Sequence, residues 1–168
     1  MSHRAQAATG TALGGISHKL RPPNWKSVGL LYARVALGAA FLSAVASRFG
    51  LWDRTLDLKH FANFILYAGQ VNSFMPSSVV PYIAVTATVA ETSLGVLLIM
   101  GLWLRWVSLA SALLLAMFGT AMAISFGLQS PMDYSVFSAS GAAVLLALDA
   151  SRHDRSTGNN LKGDASCN

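Results

Sequence analysis

Apolar runs of bilayer length, each nearly free of charge, restrict this chain to folds that place most of its side chains in lipid. Val28 to Ala46, Pro81 to Trp103 and Trp106 to Phe126 are such runs, and Tyr134 to Leu148 is a shorter fourth. At the helical rise the first run covers roughly 29 Å, about one hydrocarbon core. Inside a bilayer each backbone amide must find its partner within the segment, which selects helices over open strands. The expected fold is all-α: a four-helix transmembrane bundle. Composition supports this where it matters: 54% of residues are hydrophobic and 11% charged. A soluble domain carries about 25% charged residues, and 168 residues could not hide this much apolar surface from water.

The segments between the runs complete a single membrane domain over 28–148, flanked by polar tails at 1–27 and 149–168. Arg48, Asp53, Arg54, Asp57 and Lys59 mark a wet loop after the first run. The apolar stretch Phe61 to Gln70 that follows is too short to span. It is expected to be an interfacial or re-entrant helix between spans 1 and 2, broken by Asn72, Ser73, Pro76 and Pro81. Pro81 suits the first turn of the second span, where a missing N–H costs nothing. Leu104-Arg105 is expected to form a tight turn, and 127–133 a short loop. Trp25, Trp52, Trp103 and Trp106 all fall at expected helix ends or in loops, as interfacial aromatic belts require.

Lysine and arginine set the orientation. The amino tail, the 104–105 turn and the carboxyl tail carry eight, against three in the 47–80 segment and none in the last loop. Both termini are therefore expected in the cytoplasm of a multi-pass cell-membrane protein. Ala44-Val45-Ala46 has the form of a signal-peptide cleavage site, but the run before it is too long and contains Arg34. The net charge of +5 lies in tails and loops beside apolar runs, a pattern suited to anionic lipid rather than nucleic acid. The expected partner is membrane lipid, and further copies of the chain are a second candidate.

Two charges lie within the spans. Arg34 sits in the first and Glu91 near the middle of the second, where an ionisable group costs ~2.5–3.5 kcal/mol or more and faces the interior with a partner. Ala84, Ala87, Thr88 and Gly95 flank Glu91 at helical spacing, and Gly38 lies one turn from Arg34. Small residues let helices approach closely in lipid, so the charged face of each span is also its packing face. Counted from the inner ends of their spans, Arg34 lies roughly 9 Å deep and Glu91 roughly 18 Å, an offset two long side chains could nearly bridge. Such a pair either fixes the register of two helices or forms a site for a polar headgroup, a quinone oxygen or a proton. On the outer side, Tyr67, Gln70, Asn72, Asp133 and Tyr134 are candidates to line a cavity between helices. Asp133 is equally suited to capping the last span.

Several chemistries lack their residues. His3, His18, His60 and His153 lie outside the spans, where they cannot ligate an intramembrane haem. The sole cysteine, Cys167, cannot form a redox pair within the chain. No His/Cys/carboxylate spacing suggests zinc, and no Gly-rich fingerprint follows a strand. No catalytic residue, metal site or intrinsic cofactor is therefore assigned; a quinone is the cofactor considered.

The run Ala33-Arg34-Val35-Ala36-Leu37-Gly38, followed by Gln70-Val71-Asn72-Ser73-Phe74-Met75-Pro76, Ala90-Glu91-Thr92-Ser93-Leu94-Gly95, Gly101-Leu102-Trp103-Leu104-Arg105 and Ser130-Pro131-Met132-Asp133-Tyr134-Ser135, resembles the DoxX family of small four-helix membrane proteins. The resemblance covers about Leu30 to Leu148. It implies a four-helix membrane bundle, a polar pair formed by Arg34 and Glu91, and a place in a quinone-linked membrane redox complex whose electrons come from a partner. A carrier of a small amphiphile and a purely structural assembly protein are the other two functions the residues allow.

Overall fold

In the computed structural model, residues 24–54 and 57–165 are described, with side chains through Arg152. Six helices follow one another: α1 (Trp25–Arg48), α2 (Leu58–Val71), α3 (Val80–Met100), α4 (Leu104–Phe126), α5 (Gln129–Asp133) and α6 (Val136–Ala165). No strand occurs among the described residues.

Three helices, α1, α3 and α4, are long and apolar enough to cross a membrane. Only 17%, 33% and 33% of their apolar windows are buried within the protein. Leu31, Val35, Val89, Leu113 and Met117 point outward and are exposed. Apolar faces of this extent are stable only in lipid, so the chain is a multi-pass membrane protein. The four tryptophans are exposed at helix ends or in the first loop, where an interfacial belt lies. The apolar part of α6 ends near Leu148, which keeps α6 out of the bilayer-length set.

Small residues bring the helices together. α1 packs against α3, and α4 against α6; α3 meets α4, and α1 meets α6. At the α1–α3 crossing, a Cβ placed on Gly38 would lie 2.8 Å from Ile99 Cγ1 and 2.9 Å from the Gly95 carbonyl oxygen. Neither backbone could approach so closely with a side chain between them. Between α4 and α6, the Phe137 ring covers Gly119, and the Ser140 hydroxyl donates to the Ala112 carbonyl at 2.9 Å. Leu37, Phe41, Leu98, Val107, Ala112, Ala143 and Leu146 form the shared core.

α2 is the short amphipathic helix expected between the first two spans. Asp57 caps it by accepting from the Lys59 N–H at 3.0 Å. Its 14 residues cover about 21 Å, less than a hydrocarbon core. It buries Ala68 and Val71 against α3 and α4. Its far end is tied to α4, where the Ser125 hydroxyl donates to the Val71 carbonyl at 2.6 Å.

Several boundaries differ from expectation. α1 continues past Ala46 to Arg48, because no breaker intervenes before Gly50 (φ 70°). The α3–α4 turn occupies 101–103 rather than 104–105. Gly101, at φ 74°, ends α3 with its N–H on the Leu97 carbonyl at 2.9 Å, a left-handed cap that suits glycine. The 127–133 segment contains α5 instead of being loop throughout. Asp133 makes no capping bond: α5 ends on it, and Ser135, at φ 54°, precedes α6. The expected polar tail from 149 is helical through Ala165. Most of the expected amino tail, 1–23, lies outside the described residues.

Candidate functional site

The site begins with Arg48, the last residue of α1. Two further helical residues beyond the apolar run carry its side chain over α3. There Nη2–H donates to Glu91 Oε1 at 2.7 Å, and Nη1–H donates to Thr88 Oγ1 at 3.0 Å. The Thr88 hydroxyl in turn donates to the Ala84 carbonyl at 2.8 Å, so its oxygen is free to accept. The guanidinium carbon lies 3.8 Å from the centroid of the Phe64 ring on α2, a cation–π distance. One side chain thus joins three helices. The pair is almost dry, at 11% exposure for the Arg48 side chain and 3% for Glu91. The second carboxylate oxygen, Glu91 Oε2, is buried without a partner.

Arg48 also lines a cavity of about 240 Å³ between α2, α3, α4 and the start of α6. Its walls are mainly apolar, from Phe64, Val71, Ile83, Ala84, Ala87, Leu115, Phe118 and Met122. Tyr67, Asn72 and Tyr134 add polar groups to the lining. Arg48 is the only charged lining residue among those described. Among the described residues α2 and α6 make no backbone-level contact, and exposed Tyr67 and Tyr134 stand beside that gap. Burial, with a smaller contribution from the neighbouring Tyr134, pushes the Tyr67 phenol above its ordinary value. Tyr67 is therefore a neutral donor at physiological pH.

The structure overturns the expected Arg34–Glu91 pair. α1 and α3 run antiparallel with Gly38 beside Gly95 and Ile99, Arg34 beside Gly101, and Arg48 beside Glu91. Arg34 therefore lies opposite the end of α3, ten residues from Glu91, or about 15 Å along the helix. Arg48 was missed because the first span was ended at Ala46, which left Arg48 in a loop. Its signal was helical continuation, since Ser47-Arg48 follows the run with no breaker.

Of the five outer residues, Tyr67, Asn72 and Tyr134 line the cavity. Gln70 and Asp133 do not; both are exposed. Among the described residues no group of three His, Cys, Asp or Glu side chains could hold a metal. The arrangement offers one fixed cation and neutral donors on an apolar wall. It can orient a polar group, and it contains no nucleophile paired with a base.

No curated protein and no solved structure matches the chain. The profile of the family described as methylamine utilisation protein MauE matches residues 25–150. This match runs through every helix from α1 into α6 and corrects the DoxX resemblance, which rested on five short segments. The chain belongs to the MauE family of membrane proteins.

Proposed function

We propose that this protein is an accessory membrane subunit of a methylamine-utilisation system, which holds one small apolar molecule with a hydrogen-bond acceptor in the cavity beside Arg48. The observation that carries this reading is the guanidinium fixed by Glu91, Thr88 and Phe64 in the wall of a mainly apolar cavity. A preorganised cation next to apolar surface favours an amphiphile whose polar atom is an acceptor. Quinones belong to that class. The residues supply binding and orientation, and any electron transfer would need redox centres on a partner. In this reading α6 makes a fourth crossing, both termini are cytoplasmic, and the gap beside Tyr67 and Tyr134 lies near the outer surface.

Mass spectrometry of the protein, extracted gently from its own membrane, tests the reading by scoring both bound small molecules and co-purifying proteins. The expected result is a stoichiometric apolar ligand that disappears in Leu115→Trp, a variant that fills the cavity from α4 and leaves the ion pair untouched. A chain free of ligand, under conditions that preserve other complexes, would assign Arg48 and Glu91 to helix packing alone.

A further inference from the structure

At the opposite end of the protein lies a second polar cleft, distinct from the Arg48 cavity in residues and position. It has a volume of about 270 Å³ and lies between α1, α4 and α6. Arg34 is its central cation. Arg34 Nε is buried without a hydrogen-bond partner, and no carboxylate lies within salt-bridge distance of Arg34 among the described residues. Asp149 also lines the cleft, but its Oδ1 is held by Lys26 Nζ at 2.6 Å. That ion pair is close to neutral, so among the described residues no free carboxylate offsets the Arg34 charge.

The guanidinium points away from the membrane centre. Its Nη1 lies 2.6 Å from where a Cβ of Gly101 would be, at the level of the α3–α4 turn. Trp103 sits two residues further on, 78% exposed, and Trp25 is 76% exposed at the start of α1. Exposed tryptophans mark the headgroup region. Arg34 therefore starts from a helix position inside the span and reaches up to the plane of lipid phosphates. An arginine on an open lipid face would meet any passing headgroup. This one is walled by Leu30, Leu104 and Leu146, with Ser27 on the same rim. The walls fix the direction of its donors and offer apolar surface to an acyl chain.

We propose that this cleft binds a phosphate group through Arg34, with the apolar walls favouring the phosphodiester of an anionic membrane lipid over free phosphate. A guanidinium presents paired N–H donors that match phosphate oxygens. An ion of that charge would answer both the Arg34 cation and its unpartnered Nε–H.

The test is native mass spectrometry of the full chain released from nanodiscs of equimolar phosphatidylglycerol and phosphatidylcholine, with inorganic phosphate added in a parallel arm. One phosphatidylglycerol should be retained per chain. Retention should fall about tenfold or more in Arg34→Gln, the effect expected from losing a charge-assisted contact. Should Arg34→Gln fail to fold, Ser27→Glu serves in its place. It sets a carboxylate on the rim at the first turn of α1, where an acidic residue suits the helix, and it should expel the lipid. Arg48→Gln should leave retention unchanged, which separates this cleft from the cavity at the other end. Retention that inorganic phosphate does not displace supports a lipid headgroup; displacement by phosphate supports the same site with a soluble ligand. Equal retention of both lipids, or unchanged retention in a folded Arg34 or Ser27 variant, would overturn the proposal.

Discussion

Arg48 and Glu91 show how much depends on a single desolvated contact. Separating a buried ion pair by removing one member typically costs about 3–5 kcal/mol, because the other charge is stranded, whereas replacing both by apolar residues is often close to neutral. Arg48→Leu and Glu91→Leu should each lower the thermal unfolding temperature of the detergent-solubilised protein sharply. The double variant should recover most of the loss. Independent, additive losses would show that the two side chains do not act as a pair. Arg34 behaves differently, since no carboxylate among the described residues pairs with it. The same residue type in the same helix thus stands in two settings, decided by which part of α3 stands opposite.

At the scale of elements, the close crossings depend on glycine. Gly101 combines φ 74° with a guanidinium where its Cβ would be. Gly101→Ala should cost about 1–2 kcal/mol for the left-handed backbone alone, with a further loss as Arg34 is displaced. Chemical denaturation in detergent would measure it, and a variant as stable as the parent would mean that the turn can be rebuilt. The elements themselves were largely legible in the sequence. Apolar runs of bilayer length, the interruptions around 72–81 and the tryptophan positions located α1, α3, α4 and the shorter α2. The buried face of α3, with Ala84, Ala87, Thr88 and Gly95 around Glu91, was legible too, because helical spacing needs no partner to be recognised. The partner of Glu91 was not. It depends on how α1 slides along α3, and that register is fixed by Gly38 meeting Gly95, a tertiary fact with no local signature. Asp133 misled for a related reason: a helix-start aspartate is a common cap, but α5 intervenes and moves the start of α6 to Val136.

For the whole molecule, the Lys26–Asp149 pair places the start of α1 and residue 149 of α6 at one end, while Arg48 and α2 lie toward the other. Cys167, the only cysteine in the chain, is a native reporter of which side that is. It should resist a membrane-impermeant maleimide on intact cells and react after lysis. A cysteine introduced by Ser77→Cys, between α2 and α3, should react before lysis. The reverse pattern would invert the orientation and move the Arg34 cleft to the outer leaflet.

The bond from Arg48 to Glu91 joins residues 43 positions apart, with all of α2 synthesised between them. When α1 is inserted, α3 has not yet followed, so the terminal arginine of α1 cannot meet Glu91 and stays hydrated at the membrane surface. Only after α3 has been inserted can Arg48 be drawn in beneath Phe64. The pair is therefore expected to close late in folding, beside a chamber that is complete only once α4 and α6 have packed as well.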